Sequence, residues 1–100
     1  MKINVNTSRF IYLISPNKIS NINLFYSELE EILRSKKIYF FQLRLKNYKE
    51  KKIIQIGKKV RLICKKYKTK FIVNDNPFVA KKLNADGCHL GQKDMKFNKA

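Results

Sequence analysis

The feature that most constrains this chain is a regular alternation of two kinds of segment. Phe10-Ile-Tyr-Leu-Ile14, Ile38-Tyr-Phe-Phe-Gln-Leu43, Phe71-Ile-Val73 and Gly87-Cys-His-Leu90 are short runs dominated by successive apolar residues. Such runs predict strands buried on both faces. Between them lie longer stretches with helical periodicity. In Leu24–Lys36, Phe25, Leu29, Ile32 and Leu33 share one face, with Glu28, Glu30 and Glu31 between them. In Lys49–Tyr67, residues Ile53, Ile56, Val60, Ile63 and Tyr67 form one apolar stripe, and most of the lysines fall on the other faces. Asn76-Pro77 predicts a cap with proline at the first helical position, followed by an apolar face of Phe78, Val79 and Leu83. The order is β-α-β-α-β-α-β over one domain, residues 1–100, with no linker. It predicts a parallel sheet wrapped by helices. An open doubly wound sheet and an arc of a (β/α)₈ barrel both fit, the barrel needing roughly 200 residues to close. In either, chemistry belongs at the C-terminal ends of the strands.

Composition narrows the class. A hydrophobic content of 44% excludes a disordered chain. No apolar run approaches the roughly 20 residues of a membrane span. Met1 to Ser15 carries no signal-peptide pattern. Cys64 and Cys88 form neither a metal spacing nor a disulfide framework, so a reducing cytoplasm is the expected compartment. The net charge of +16 predicts attraction to polyanions: nucleic acid, anionic lipid or phosphorylated small molecules. The lysines are spread along the chain, which favours a solvated surface over a nucleic-acid-binding stripe.

Three clusters fall at the predicted strand ends. After the second strand, alternation sends Gln42, Arg44 and Lys46 to one side and Leu43 and Leu45 to the other. An inward amide with two cations needs an anion or buried carboxylates, and both readings stand. After the third strand, Asn74-Asp75 is either turn chemistry or, through Asp75, a hard oxygen ligand for Mg²⁺. After the fourth come His89, Gly91 and Asp94. His89 reads first as an interior histidine, Gly91 permits close backbone approach, and Asp94 supplies a second carboxylate. Together the cations, carboxylates and amides suit a Mg²⁺-bound pyrophosphate. No general base or nucleophile with a relay accompanies them, so no catalytic residue is assigned.

These residues resemble the thiamine phosphate synthase family from about Phe10 onward. Gln42-Leu-Arg44-Leu-Lys46 is similar to its Gln-Leu-Arg-Glu-Lys signature, and Phe71-Ile-Val-Asn-Asp75 to its third strand ending. Leu83-Asn-Ala-Asp-Gly-Cys-His-Leu-Gly-Gln-Lys-Asp94 resembles its Leu-Gly-Ala-Asp-Gly-Val-His-Leu-Gly-Gln-Glu-Asp stretch. The resemblance implies an α/β fold: a partial TIM (β/α)₈ barrel of about four parallel strands with three intervening helices. It implies a transferase of thiamine biosynthesis that joins hydroxymethylpyrimidine diphosphate to thiazole phosphate, releasing pyrophosphate, with Mg²⁺ as cofactor. Gln42, Arg44, Lys46 and Asn74 would bind the pyrimidine diphosphate, Asp75 and Asp94 would hold Mg²⁺, and His89 would line the pocket. Leu45 stands where the family has Glu, pointing away from the ligand side. The chain is expected to be an N-terminal half that ends before the thiazole-phosphate site. It should therefore show little activity alone and self-associate through open half-barrel edges. An inactive fragment, a thiazole tautomerase-like homologue and a basic nucleic-acid-binding module are the competing readings.

Overall fold

The computed structural model describes residues 2–5, 11–90 and 94–97, with side chains over 11–90. The elements run β1 (Lys2–Val5), β2 (Ile11–Ile14), α1 (Ile22–Ser35), β3 (Phe40–Leu43), α2 (Glu50–Lys66), β4 (Lys70–Asn74), α3 (Pro77–Lys82), β5 (Gly87–Leu90) and β6 (Asp94–Phe97). All six strands lie in one sheet in chain order. Strands β2 to β5 pair in parallel, as the alternating pattern predicts. Strands β1 and β6 were not foreseen. They add antiparallel pairs to β2 and β5, so these two strands are not the open edges expected from the sequence. Their sequences, Lys-Ile-Asn-Val and Asp-Met-Lys-Phe, do alternate polar and apolar residues, as one-sided strands should.

Alternation divides the sheet into two faces. Leu13, Phe41, Leu43, Phe71, Val73 and Cys88 point to the helices and join one buried cluster with Phe25, Leu29 and Leu33 of α1 and Ile56, Val60 and Ile63 of α2. The Phe25 and Phe41 rings meet at 6.4 Å, an edge of that packing. Gln42 and Ile72 alternate with the cluster residues and lie on the other face, both buried and in the same register row. Leu45 packs against the helix-side cluster, on the side away from Gln42, as the sequence predicts.

Local signals set the helix starts. Asn21 Oδ1 accepts the Leu24 N–H at 3.1 Å, so α1 begins ahead of the periodic stretch. Asn76 Oδ1 accepts the Val79 N–H at 3.0 Å, with Pro77 opening α3. Asp86 ties β5 to β4 twice: its carboxylate accepts the Phe71 N–H at 2.7 Å, and its own N–H donates to the Phe71 carbonyl at 2.8 Å.

Where α2 passes the end of α3, Gly57 leaves room for Leu83. A β-carbon there would run into Leu83 Cδ1 and lie 3.3 Å from Cγ. Leu83 is only 3% exposed and has little space to yield. Gly57→Ala should therefore lower stability by about 1 kcal/mol, the overpacking cost exceeding the gain in helix propensity. Urea unfolding measures it, and an unchanged or raised midpoint would show that Leu83 repacks freely.

Candidate functional site

The C-terminal ends of β2 to β5 carry the polar residues that the sequence singled out. β3 ends at Leu43, yet its chain stays paired to the segment after β2. The Ser15 N–H donates to the Gln42 carbonyl at 2.9 Å, and the Arg44 N–H donates to Ser15 Oγ at 2.8 Å. The Lys46 N–H donates to the Asn17 carbonyl at 3.0 Å, and Arg44 Nη1 reaches Asn17 Oδ1 at 3.4 Å. Gln42 is 5% exposed, Arg44 is half-buried and Lys46 is exposed. Asn47 then turns with a φ of 64°, a left-handed conformation that asparagine tolerates. The alternation expected through Lys46 thus holds as strand only to Leu43, and loop pairing carries it further.

On β4 and β5, Asn74 pairs in register with His89, on the same face as Gln42 and Ile72. Asp75 leaves β4 with a φ of 58° and donates its N–H to the His89 carbonyl at 2.7 Å. His89 is partly exposed, but its Nδ1 is buried and has no hydrogen-bond partner among the described residues. A buried ring nitrogen calls for a hydrogen-bond partner. Asp94 opens β6 opposite Leu90, so its backbone sits at the same sheet end as Asp75; its side chain, with all of Gly91, lies outside the described residues. Arg44 leans to the β2 side through Asn17, while Asn74, Asp75 and His89 stand on the β4–β5 side. The arrangement is a polar rim across one sheet end, cationic on one flank and acidic on the other.

Sequence reading missed Ser15, Asn17 and the bond from Asn76 Nδ2 to Glu50 Oε2 at 2.7 Å, which links the β4–α3 turn to the start of α2. The one available signal was Ser15-Pro16-Asn17 directly after a buried strand. The described residues hold no cluster of three or more His, Cys, Asp or Glu side chains able to bind a metal. No described helix is long and apolar enough to cross a membrane. A hollow of about 890 Å³ lies at the opposite end, among Lys36, Lys37, Lys68 and Lys70, away from the strand exits.

A parallel sheet wrapped by helices, with polar residues at the C-terminal ends of its strands, defines an α/β protein built from βα units. A family model described as thiamine monophosphate synthase matches residues 11–100, and the chain belongs to that family. The thiamine-phosphate synthase of Pelagibacter ubique is 60% identical over the whole chain and 48% of its own length. That of Fusobacterium nucleatum is 40% identical over 90% of the chain and 43% of its own length. A solved structure, thiamine phosphate pyrophosphorylase from Pyrococcus furiosus, superimposes with a TM-score of 0.70 at 30% identity, over 84% of this chain and 40% of that one. The chain thus spans about half the length of the relatives it matches.

Both cysteines are buried free thiols. Burial pushes the Cys64 thiol far up, with Asp86 adding to it. Burial also raises Cys88, opposed by a backbone hydrogen bond from Asn76 and aided by Asp75. The native thiols therefore keep protons that the unfolded chain releases near the ordinary value of 9.0. Their stabilising contribution is complete below that pH and is lost as pH rises above it. Urea midpoints should fall above about pH 9, and fall less steeply in a Cys64→Ala/Cys88→Ala variant. Equal slopes in the two proteins would refute this.

Proposed function

We propose that this chain carries the diphosphate-binding part of a thiamine phosphate synthase: a cytoplasmic transferase joining hydroxymethylpyrimidine diphosphate to thiazole phosphate. The observation that supports it most is that Arg44, just after β3, and Asn74, Asp75 and His89, at the exits of β4 and β5, all stand at the C-terminal end of adjacent parallel strands, in a chain of this family. In this reading Arg44 grips phosphate oxygens with its planar fork, and Lys46 adds a point charge. Gln42 and Asn74 offer amides to the pyrimidine diphosphate from the face opposite the helices, and His89 lines the pocket. Ser15, buried and already engaged with Arg44, is structural support for that contact and not a nucleophile.

Mg²⁺ is part of the proposal. The donor chemistry fits, because Mg²⁺ is held by one or two carboxylates together with substrate phosphates and water, not by an all-protein cage. Asp75 at the exit of β4 and Asp94 at the start of β6 would supply those carboxylates. When bound, the ion would neutralise the diphosphate and favour its departure. The site for thiazole phosphate would come from the part of the relatives' length that this chain does not span.

Titration calorimetry with inorganic pyrophosphate tests the reading. Saturable binding should require Mg²⁺. Arg44→Ala and Asp75→Ala should each weaken it by about ten-fold or more, the scale of one charge-assisted hydrogen bond. Binding that survives both substitutions, or no saturable binding by the unaltered chain, would overturn it.

A further inference from the structure

The chain after β2 does more than connect to α1. In a regular parallel ladder a residue donates its N–H to one neighbour and accepts, through its carbonyl, the N–H two residues further along. Ser15 donates to the Gln42 carbonyl in this way. The next acceptor is not its carbonyl, however, but its side-chain Oγ, which takes the Arg44 N–H at 2.8 Å while donating to the Pro16 carbonyl at 3.1 Å. Two residues on, the Asn17 carbonyl takes the Lys46 N–H, and its side-chain oxygen takes the Arg44 guanidinium. Two residues further, the Tyr48 hydroxyl accepts the Ile19 N–H at 2.8 Å and donates to the Ile19 carbonyl at 3.3 Å. Residues 15, 17 and 19 are thus bound at intervals of two to residues 42, 44, 46 and 48. Side chains of Ser15 and Tyr48 replace main-chain groups at both ends of this extension.

We propose that the segment Ser15–Ile19 is a splint that sets the direction of Arg44 and Lys46, with Ser15, Asn17 and Tyr48 as positioning residues for anion binding. It rests on the reading of the β3 exit as a diphosphate site. Neither cation belongs to a regular strand, so without the splint nothing in the β-ladder fixes where their side chains leave the backbone. Ser15 is 4% exposed, so its hydroxyl is held in one place. The Asn17 contact fixes the guanidinium from the β2 side, leaving the rest of its fork for a ligand. Holding both cations in place before the anion arrives lowers the ordering cost of binding.

The test uses Ser15→Ala, Asn17→Ala and Tyr48→Phe with two readouts on the same samples. The first is affinity for inorganic pyrophosphate with Mg²⁺. The second is the order of the Arg44 Nε–H group by nitrogen-15 relaxation without ligand, which a purely structural role elsewhere would not move. Affinity should fall about ten-fold in Ser15→Ala and several-fold in the other two, and Arg44 should become mobile in Ser15→Ala and Asn17→Ala. Affinities within two-fold of the unaltered chain, or an Arg44 that stays equally rigid in both variants, would overturn the proposal. Should Ser15→Ala fail to fold, Asn17→Ala and Tyr48→Phe decide it, since Asn17 is exposed and Phe keeps the Tyr48 ring. An unaltered chain that binds no pyrophosphate defeats the diphosphate reading, while the Arg44 relaxation measurement still decides whether the splint exists.

Discussion

The strand residues of the site, Gln42, Asn74 and His89, are placed by the period-two alternation of side chains across β3, β4 and β5. Phe41, Leu43, Phe71, Val73 and Cys88 are committed to the helix side by burial. A shift of one residue would expose that whole set and bury Gln42, Asn74 and His89 against the helices. The register is therefore held by apolar area on one face, and the polar face inherits its order. Gln42, Ile72 and Gly87 fall in one row, with Asn74 and His89 in a row nearer the strand exits.

Strand exits are where the sheet stops enforcing direction, and this chain replaces the ladder there with side chains. Asp75 and Asn47 leave β4 and β3 in left-handed conformations, available at modest cost to Asp and Asn. Asn76 caps α3 with its oxygen and reaches Glu50 with its nitrogen, using both ends of one amide to join the β4–α3 turn to α2. Ser15, Asn17 and Tyr48 do the same between β2 and β3. The polar groups of the rim are fixed by contacts between neighbouring loops, each loop resting on the one before it.

This explains which parts were legible in the sequence. The apolar stripe of α2 and the buried runs of β3 and β4 are local periodicities, and Asn76-Pro77 is a local cap, so each could be read within a few residues. The polar face followed from the same alternation, through Gln42 and Asn74. The short strands β1 and β6 alternate only over four residues, and their role is defined by partners elsewhere in the chain. Ser15 is harder still. Its hydroxyl takes the N–H of a residue 29 positions away, and nothing near Ser15 distinguishes that bond from an ordinary turn. Beyond Leu43 the spacing of two continues through Arg44 and Lys46, held there by bonds to Ser15 and Asn17 in place of a regular strand ladder.

The net charge, the most conspicuous number in the sequence, turns out to be a poor guide to the site. Arg34, Lys36 and Lys37 gather where α1 ends, and Lys65, Lys66 and Lys68 where α2 ends. Cations there answer the negative ends of helix dipoles, and Lys66 also pairs with Glu30 at 3.1 Å. In a βαβ unit the opposite, positive ends of the helices face the strand exits where Arg44 and Asp75 stand. The orientation of the elements therefore makes the potential at that end more positive without adding formal charges. The same topology that hides apolar runs beneath three helices also sets the sign of the field at the polar rim, which is why the strand order says more about function here than the count of lysines.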